Sequence, residues 1–332
     1  MQFVYEYGLF LAQTLTVVFG ILAVVVGISA VASRDREFGR ESLRVRKLNN
    51  RYRDMRRTLR GAMLDRKVLR RLRRSEKNAQ ESDKPAPGPD NRRVYVLRFE
   101  GDIRASRVEN LREEITAVLT QARPGQDEVV VCLESPGGLV HSYGLAASQL
   151  SRLRHRGIHL TATVDRVAAS GGYLMASVAD RIVAAPFAVV GSIGVVAQLP
   201  NIHRLLKRHD VDIEMHTAGE HKRTLTTLGE NTPAGRRRFQ QQLDDTHDLF
   251  KRFVHRYRPV LDLEHVATGE HWYGEQAVEL NLVDELQTSD DLLMAKADEA
   301  EVFEVTYRRK QRMSKRLTLA IETMLERVLR GS

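Results

Sequence analysis

The order of apolar runs in this 332-residue chain predicts an α/β domain, a mostly parallel sheet with flanking helices, preceded by a transmembrane helix. Three observations predict it. From about residue 94 onward, short strand-like runs alternate with amphipathic helical stretches. One run, Val129–Leu133, is apolar throughout and bounded by turn residues, as in a parallel sheet covered on both faces. Three glycine-containing turns also fall directly after strand-like runs, where α/β sheets gather their ligand loops.

The chain opens on an apolar stretch: Leu9–Val31 is 23 consecutive residues without a charge. As a helix it spans ~34 Å, enough for a bilayer core of ~30 Å. A cleaved signal peptide wants basic residues ahead of its apolar run, yet residues 2–8 hold no Lys or Arg and include Glu6. The expectation is therefore a single-pass anchor over 1–33, with residues 9–31 in the lipid bilayer. Arg34, Arg36, Arg40, Arg44, Arg46 and Lys47 follow it directly. That bias places the N-terminus outside and the large domain in the cytoplasm.

Residues 34–81 read as a basic helical stalk, either against anionic headgroups of the inner leaflet or free in solvent. The net charge of +9 sits there: residues 34–80 hold 18 Lys/Arg against 6 Asp/Glu, and the rest of the chain holds 34 against 37. With its folded part mildly acidic, the chain is not expected to bind nucleic acid. The single cysteine, Cys132, can form no intramolecular disulfide, and no zinc spacing exists. Inside its apolar run it reads as a buried structural thiol.

Residues 82–91 form a linker, with three prolines and a glycine in Ser82–Asp90. A domain over 92–306 follows. Val94–Glu100 reads as a strand, Arg107–Gln121 as a helix and Val129–Leu133 as a strand. His141–His155 suits a helix, Ile158–Val164 a strand, Gly171–Ala179 a helix and Arg181–Ala184 a short strand. Phe187–Val190 is a further apolar strand, Asn201–Arg208 a helix and Val211–His216 a strand. Pro233 suits the first turn of a long helix ending near Tyr257, before Pro259. Residues 307–332 read as a basic amphipathic helix.

The turns after the strands carry the chemistry. They are Glu134-Ser135-Pro136-Gly137-Gly138, Ala168-Ala169-Ser170-Gly171-Gly172-Tyr173 and Gly191-Ser192-Ile193-Gly194. Paired glycines permit positive φ or close approach, and backbone N–H groups in such turns can converge on an oxyanion. Ser170 sits between small residues at a strand-to-helix junction, where a helix N-terminus faces developing negative charge. A tight helix–sheet contact is the bland alternative. A serine nucleophile needs a base, and Thr217-Ala218-Gly219-Glu220-His221-Lys222 offers two neighbours, His221 and Lys222, which spacing does not separate. Lysine serves only when neutral, so it must be buried.

The chain resembles the SppA/SohB serine peptidase family, membrane-bound relatives of the ClpP and crotonase folds. The matching segments are the three turns above, with the second extended to Val167–Ala176 and the third to Val195. They also include Thr217–Thr226, Ala267–Gly274 and Ala277–Asp284. The resemblance runs from about residue 94 to 290 and extends to the N-terminal anchor. It implies a ClpP/crotonase-like domain, with Ser170 as nucleophile, Lys222 as general base and Gly138 and Gly171 as the oxyanion hole. Ser192 would orient the lysine. It further implies peptide or membrane-protein substrates, remnant signal peptides among them, a homo-oligomer, and no cofactor or metal. The family's signal-peptide role points to the periplasmic face of the bacterial inner membrane, against the charge bias. Rival readings are a crotonase-type acyl-CoA hydratase or isomerase, which needs pocket glutamates, and an inactive membrane scaffold.

Overall fold

A computed structural model describes residues 41–65, 67–71, 92–219 and 221–309. The expected anchor at 9–31, the linker at 82–91 and nearly all of the C-terminal segment lie outside these residues. No helix among the described residues is long and apolar enough to cross a membrane. Among the described residues, Arg44–Thr306 forms one compact unit.

Strand β1 (Ser42–Lys47) and helix α1 (Leu48–Met63) come first. Part of the stretch read as a helical stalk is therefore extended. There follow β2 (Arg93–Glu100), α2 (Val108–Leu119), β3 (Glu128–Ser135), α3 (Val140–His155) and β4 (His159–Ala169). Next come α4 (Gly171–Ala176), β5 (Arg181–Ala184), β6 (Val189–Gly191), α5 (His203–Arg208) and α6 (Pro233–Tyr257). The rest are α7 (Leu263–Val266), β7 (His271–Tyr273), α8 (Gly274–Glu279), β8 (Glu285–Leu286), α9 (Ser289–Glu299) and β9 (Glu301–Arg308).

The sheet runs β1-β9-β2-β3-β4-β5-β8, and β6 joins β4 on one side and β7 on the other. The β9–β2–β3–β4–β5–β8 pairings are parallel; β6–β7 is antiparallel. Side-chain alternation explains why both faces need cover. Tyr95, Leu97, Phe99, Val129, Val131 and Leu133 point into the larger core with α2, α3 and α4. Val94, Val96, Val130 and Cys132 point the other way, into a smaller core with Leu48, Leu292 and Leu293. Each strand is apolar on both faces, which is why Val129–Leu133 reads as one unbroken run. Cys132 is buried there, and burial pushes its thiol pKa up. It is structural, as its apolar surroundings predict.

The long strand β4 positions the site. Its first half, Thr161–Val164, pairs with β5, and its second half, Val167–Ala169, pairs with β6. Switching partners carries it past the end of β5, so Ser170 follows immediately on its last residue. Opposite, the β3–β4 register shifts between Leu133 and Ser135, which pairs Ser135 with Ala168 and brings the two strand ends level.

One expectation fails in the sheet. Val211–His216, expected as a strand, has no regular structure and is exposed throughout. Its alternating Val211, Ile213 and Met215 suit a strand, but among the described residues no strand pairs with it, and tertiary context overrides the local preference. The long helix is as expected: Thr232 caps it, its hydroxyl accepting from the Gly235 N–H at 3.0 Å, with Pro233 in the first turn.

Candidate active site

Ser170 stands between β4 and α4 with φ +51° and ψ −117°, a backbone state that non-glycine residues rarely hold. Three constraints keep it there. Its N–H donates to the Gly191 carbonyl at 2.8 Å, so β6 clamps it from one side. Its carbonyl accepts the Leu174 N–H at 2.9 Å, which starts the helix. On the other side lies Gly137, at φ +89°, where a Cβ would stand 2.8 Å from the Ala169 carbonyl oxygen, the Gly171 nitrogen and the Ser170 Cβ. Gly137 is glycine because the two turns touch there.

The neighbouring glycines are as tightly specified. A Cβ on Gly138 would stand 2.1 Å from the Ile103 carbonyl oxygen, and one on Gly171 2.4 Å from Tyr143 Cγ. As the first helical residue of α4, Gly171 has no intrahelical acceptor for its N–H. Among the described residues the Gly138 N–H also has no acceptor, whereas the Gly137 N–H donates to Ser135 Oγ at 3.1 Å. Two free N–H groups therefore flank the serine turn, and developing negative charge at that turn would meet them at a helix N-terminus.

Ser192 lies one residue beyond the Gly191 that clamps Ser170. It too has positive φ, +51°, and its N–H donates to the Glu270 carbonyl at 2.6 Å. His247, on α6, meets the carbonyl of the following residue, Ile193, at 3.2 Å. Ser135, Pro136, Gly137, Gly138, Ser170, Gly171 and Ser192 thus come from three turns that the sheet brings to one edge.

Lys222 is elsewhere in character. The expectation placed it at a strand C-terminus, buried and neutral. Instead it lies exposed in an irregular segment, one turn residue on from the exposed His221. Its N–H donates to the Gly219 carbonyl at 3.2 Å, and among the described residues no hydrogen bond or ion pair joins its side chain to Ser170 or Ser192. The burial that a lysine base requires is thus not supplied by the described residues. The segment after it is nonetheless anchored: Asn231 and Asn201 both bind the Thr226 backbone at 2.8–3.0 Å, and Ile202 N–H donates to Thr227. What it lacks is cover. Val196 is 91 % exposed, and Leu205, Ile213, Met215 and Leu228 are exposed with it.

Two residues of the site were not singled out from sequence. Ser135 was read only as part of a glycine turn, and Tyr143 as an ordinary helix residue. Both are fully buried and hydrogen-bonded to each other at 2.6 Å. No local pattern marks such a pair, which exists only once β3 and α3 pack. Among the described residues no three His, Cys, Asp or Glu side chains cluster as metal ligands would.

A serine at a strained strand-to-helix turn beside free backbone donors is an arrangement suited to acyl-transfer chemistry. Comparison with known proteins narrows it. Residues 2–150 match the N-terminal region of peptidase family S49, and residues 152–303 match peptidase family S49 itself. The "Probable protease SohB" of Haemophilus influenzae is 50% identical over 93% of this chain and 90% of its own length. The "Putative protease SohB" of Buchnera aphidicola subsp. Baizongia pistaciae is 41% identical over 96% of this chain and 94% of its own. A "Putative signal peptide peptidase SppA" of Enterococcus faecium is 26% identical over 66% of this chain and 67% of its own. The chain belongs to peptidase family S49.

Proposed function

We propose that this chain is a membrane-bound serine endopeptidase that cleaves peptides or membrane-protein and signal-peptide fragments through an acyl-enzyme on Ser170. The observation that carries the reading is the Ser170 turn, held at positive φ beside the free N–H groups of Gly138 and Gly171. Ser170 Oγ attacks the scissile carbonyl, and the oxyanion that forms is met by those two donors. Lys222, neutral and desolvated, takes the hydroxyl proton and passes it to the leaving amine, with Ser192 orienting the ammonium. Water then releases the acyl group.

Because Lys222 is exposed among the described residues, the mechanism requires cover from beyond them. The uncovered apolar side chains of residues 196–228 support a homo-oligomer in which another copy of this chain packs over the segment and desolvates the lysine. The uncharged run Leu9–Val31 supports anchoring in the bacterial inner membrane, and the basic residues that follow support a cytoplasmic catalytic domain. The test is acylation of the full-length protein in detergent by a fluorophosphonate probe. The expected result is one adduct, on Ser170, lost in Lys222→Ala. An adduct at any other serine, or none, would overturn the assignment.

A further inference from the structure

We propose that Ser135 and Tyr143 are positioning residues that fix which backbone N–H groups face the oxyanion, an inference that rests on the serine-peptidase reading above. A hydrogen-bond chain of fully determined direction joins them. The Asp102 carbonyl can only accept, and it receives the Tyr143 hydroxyl at 2.8 Å. That uses the single proton of Tyr143, so in its 2.6 Å contact with Ser135 the tyrosine oxygen accepts and the Ser135 hydroxyl donates. With its proton committed, Ser135 Oγ presents a lone pair to the Gly137 N–H at 3.1 Å. The chain runs Gly137 N–H to Ser135 to Tyr143 to the Asp102 carbonyl, with no proton left to choose. Both side chains are fully buried, which strengthens the Ser135–Tyr143 bond at the centre of the chain.

Two consequences meet at the serine turn. Anchoring the Gly137 N–H to Ser135 turns that peptide away from the site and leaves the next one, Gly138, as the free donor. Gly138 is pinned further because the Leu139 N–H donates to the Ile103 carbonyl at 2.8 Å. The ring of Tyr143 meanwhile lies against Gly171, where a Cβ would overlap Cγ and Cβ of the tyrosine at 2.4 and 2.7 Å. One side chain therefore braces both oxyanion donors: Gly138 through Ser135, and Gly171 by contact. The loop that supplies the last acceptor is itself fixed, with the Ser106 N–H on Asp102 Oδ1 at 2.8 Å and the Gly101 N–H on the Glu134 carbonyl at 2.8 Å.

The test uses the full-length protein in detergent, a fluorogenic peptide and a peptidyl boronic acid, which forms a tetrahedral adduct on a serine and places an oxygen in the oxyanion hole. Tyr143→Phe keeps the ring on Gly171 and cuts the chain; Ser135→Ala removes the Gly137 acceptor. Removing an oxyanion donor outright costs about 100- to 1,000-fold in kcat, so misplacing one should cost about 10- to 100-fold, with KM within about twofold. Boronate affinity should fall by the same factor as kcat/KM. Thr161→Val, which loses a buried hydroxyl bond to Glu128 away from the turns, should lower the melting temperature and leave kcat unchanged. If Ser135→Ala does not fold, Tyr143→Phe alone carries the test. Wild-type kcat and boronate affinity in Tyr143→Phe would overturn the proposal, as would a kcat loss with boronate affinity intact. Ser170→Ala run in parallel keeps the two readings apart: turnover retained there sinks the nucleophile assignment, whereas its loss beside an unaffected Tyr143→Phe sinks only the positioning roles.

Discussion

The turns around Ser170 and the segment around Lys222 are built in opposite ways. Ser170 has β6, α4 and the Gly137 turn against it on three sides, and the residues behind it, Ser135, Tyr143 and Tyr173, are fully buried. Residues 194–231 have a short helix, local bonds from Asn201 and Asn231, and a row of exposed apolar side chains. In the first region one chain supplies every constraint. In the second it supplies shape without cover. The contrast teaches that the Ser170 turn is built fully by the described residues, while the proposed role of Lys222 as base calls for cover that they do not supply.

The largest effects should come from the reacting groups. Ser170→Ala and Lys222→Ala should each lower peptide turnover by at least about 1,000-fold. In the separated chain, removing the exposed lysine should leave the melting temperature within the error of a thermal scan. A Lys222→Ala variant that keeps near wild-type turnover would break the comparison and shift attention to His221. Next come the glycines. Gly171→Ala forces a methyl into the Tyr143 ring and should cost about 1–3 kcal/mol by denaturant titration, together with most of the activity. Gly219→Ala, with open space around its Cβ but φ at +93°, should cost about 1–2 kcal/mol through backbone strain alone and leave more of the activity.

Amide exchange would sharpen the comparison without mutation. In the assembled protein the amides of 128–135 and 159–176 should exchange slowest, and dilution into conditions that separate the copies should speed exchange in 194–231 selectively. The smallest effect on turnover concerns the far end of the sheet. Burial raises the pKa of Glu128, but Lys296 at 2.7 Å and Thr161 at 2.9 Å outweigh it and hold the carboxyl below its usual range. A depressed carboxylate stabilises the fold above its unfolded pKa of about 4.3, and that contribution is lost as pH falls through the native value. Glu128→Gln should therefore be less stable than wild type by about 1–3 kcal/mol at pH 7, with the gap narrowing below about pH 4.

Legibility in the sequence followed the same division. The buried strands and the helices between them were readable because each element's pattern and its tertiary role agree; Val129–Leu133 is apolar on both faces because helices cover both. Ser170 was readable because a strained turn demands small neighbours. Val211–His216 differs from its expected strand because no strand pairs with it among the described residues, and the expected placing of Lys222 at a strand end rested on that strand. Ser135 and Tyr143 escaped notice because their pairing spans β3 and α3, and no local spacing encodes it.

The most direct test of the preformed-nucleophile, assembled-base account is the rate of fluorophosphonate acylation at Ser170, followed by mass spectrometry while the full-length protein is diluted through its association range in detergent. The account predicts that the rate falls as copies separate, and that Lys222→Ala is slow at every concentration. Acylation of the separated chain at the assembled rate, or of Lys222→Ala at the wild-type rate, would contradict it.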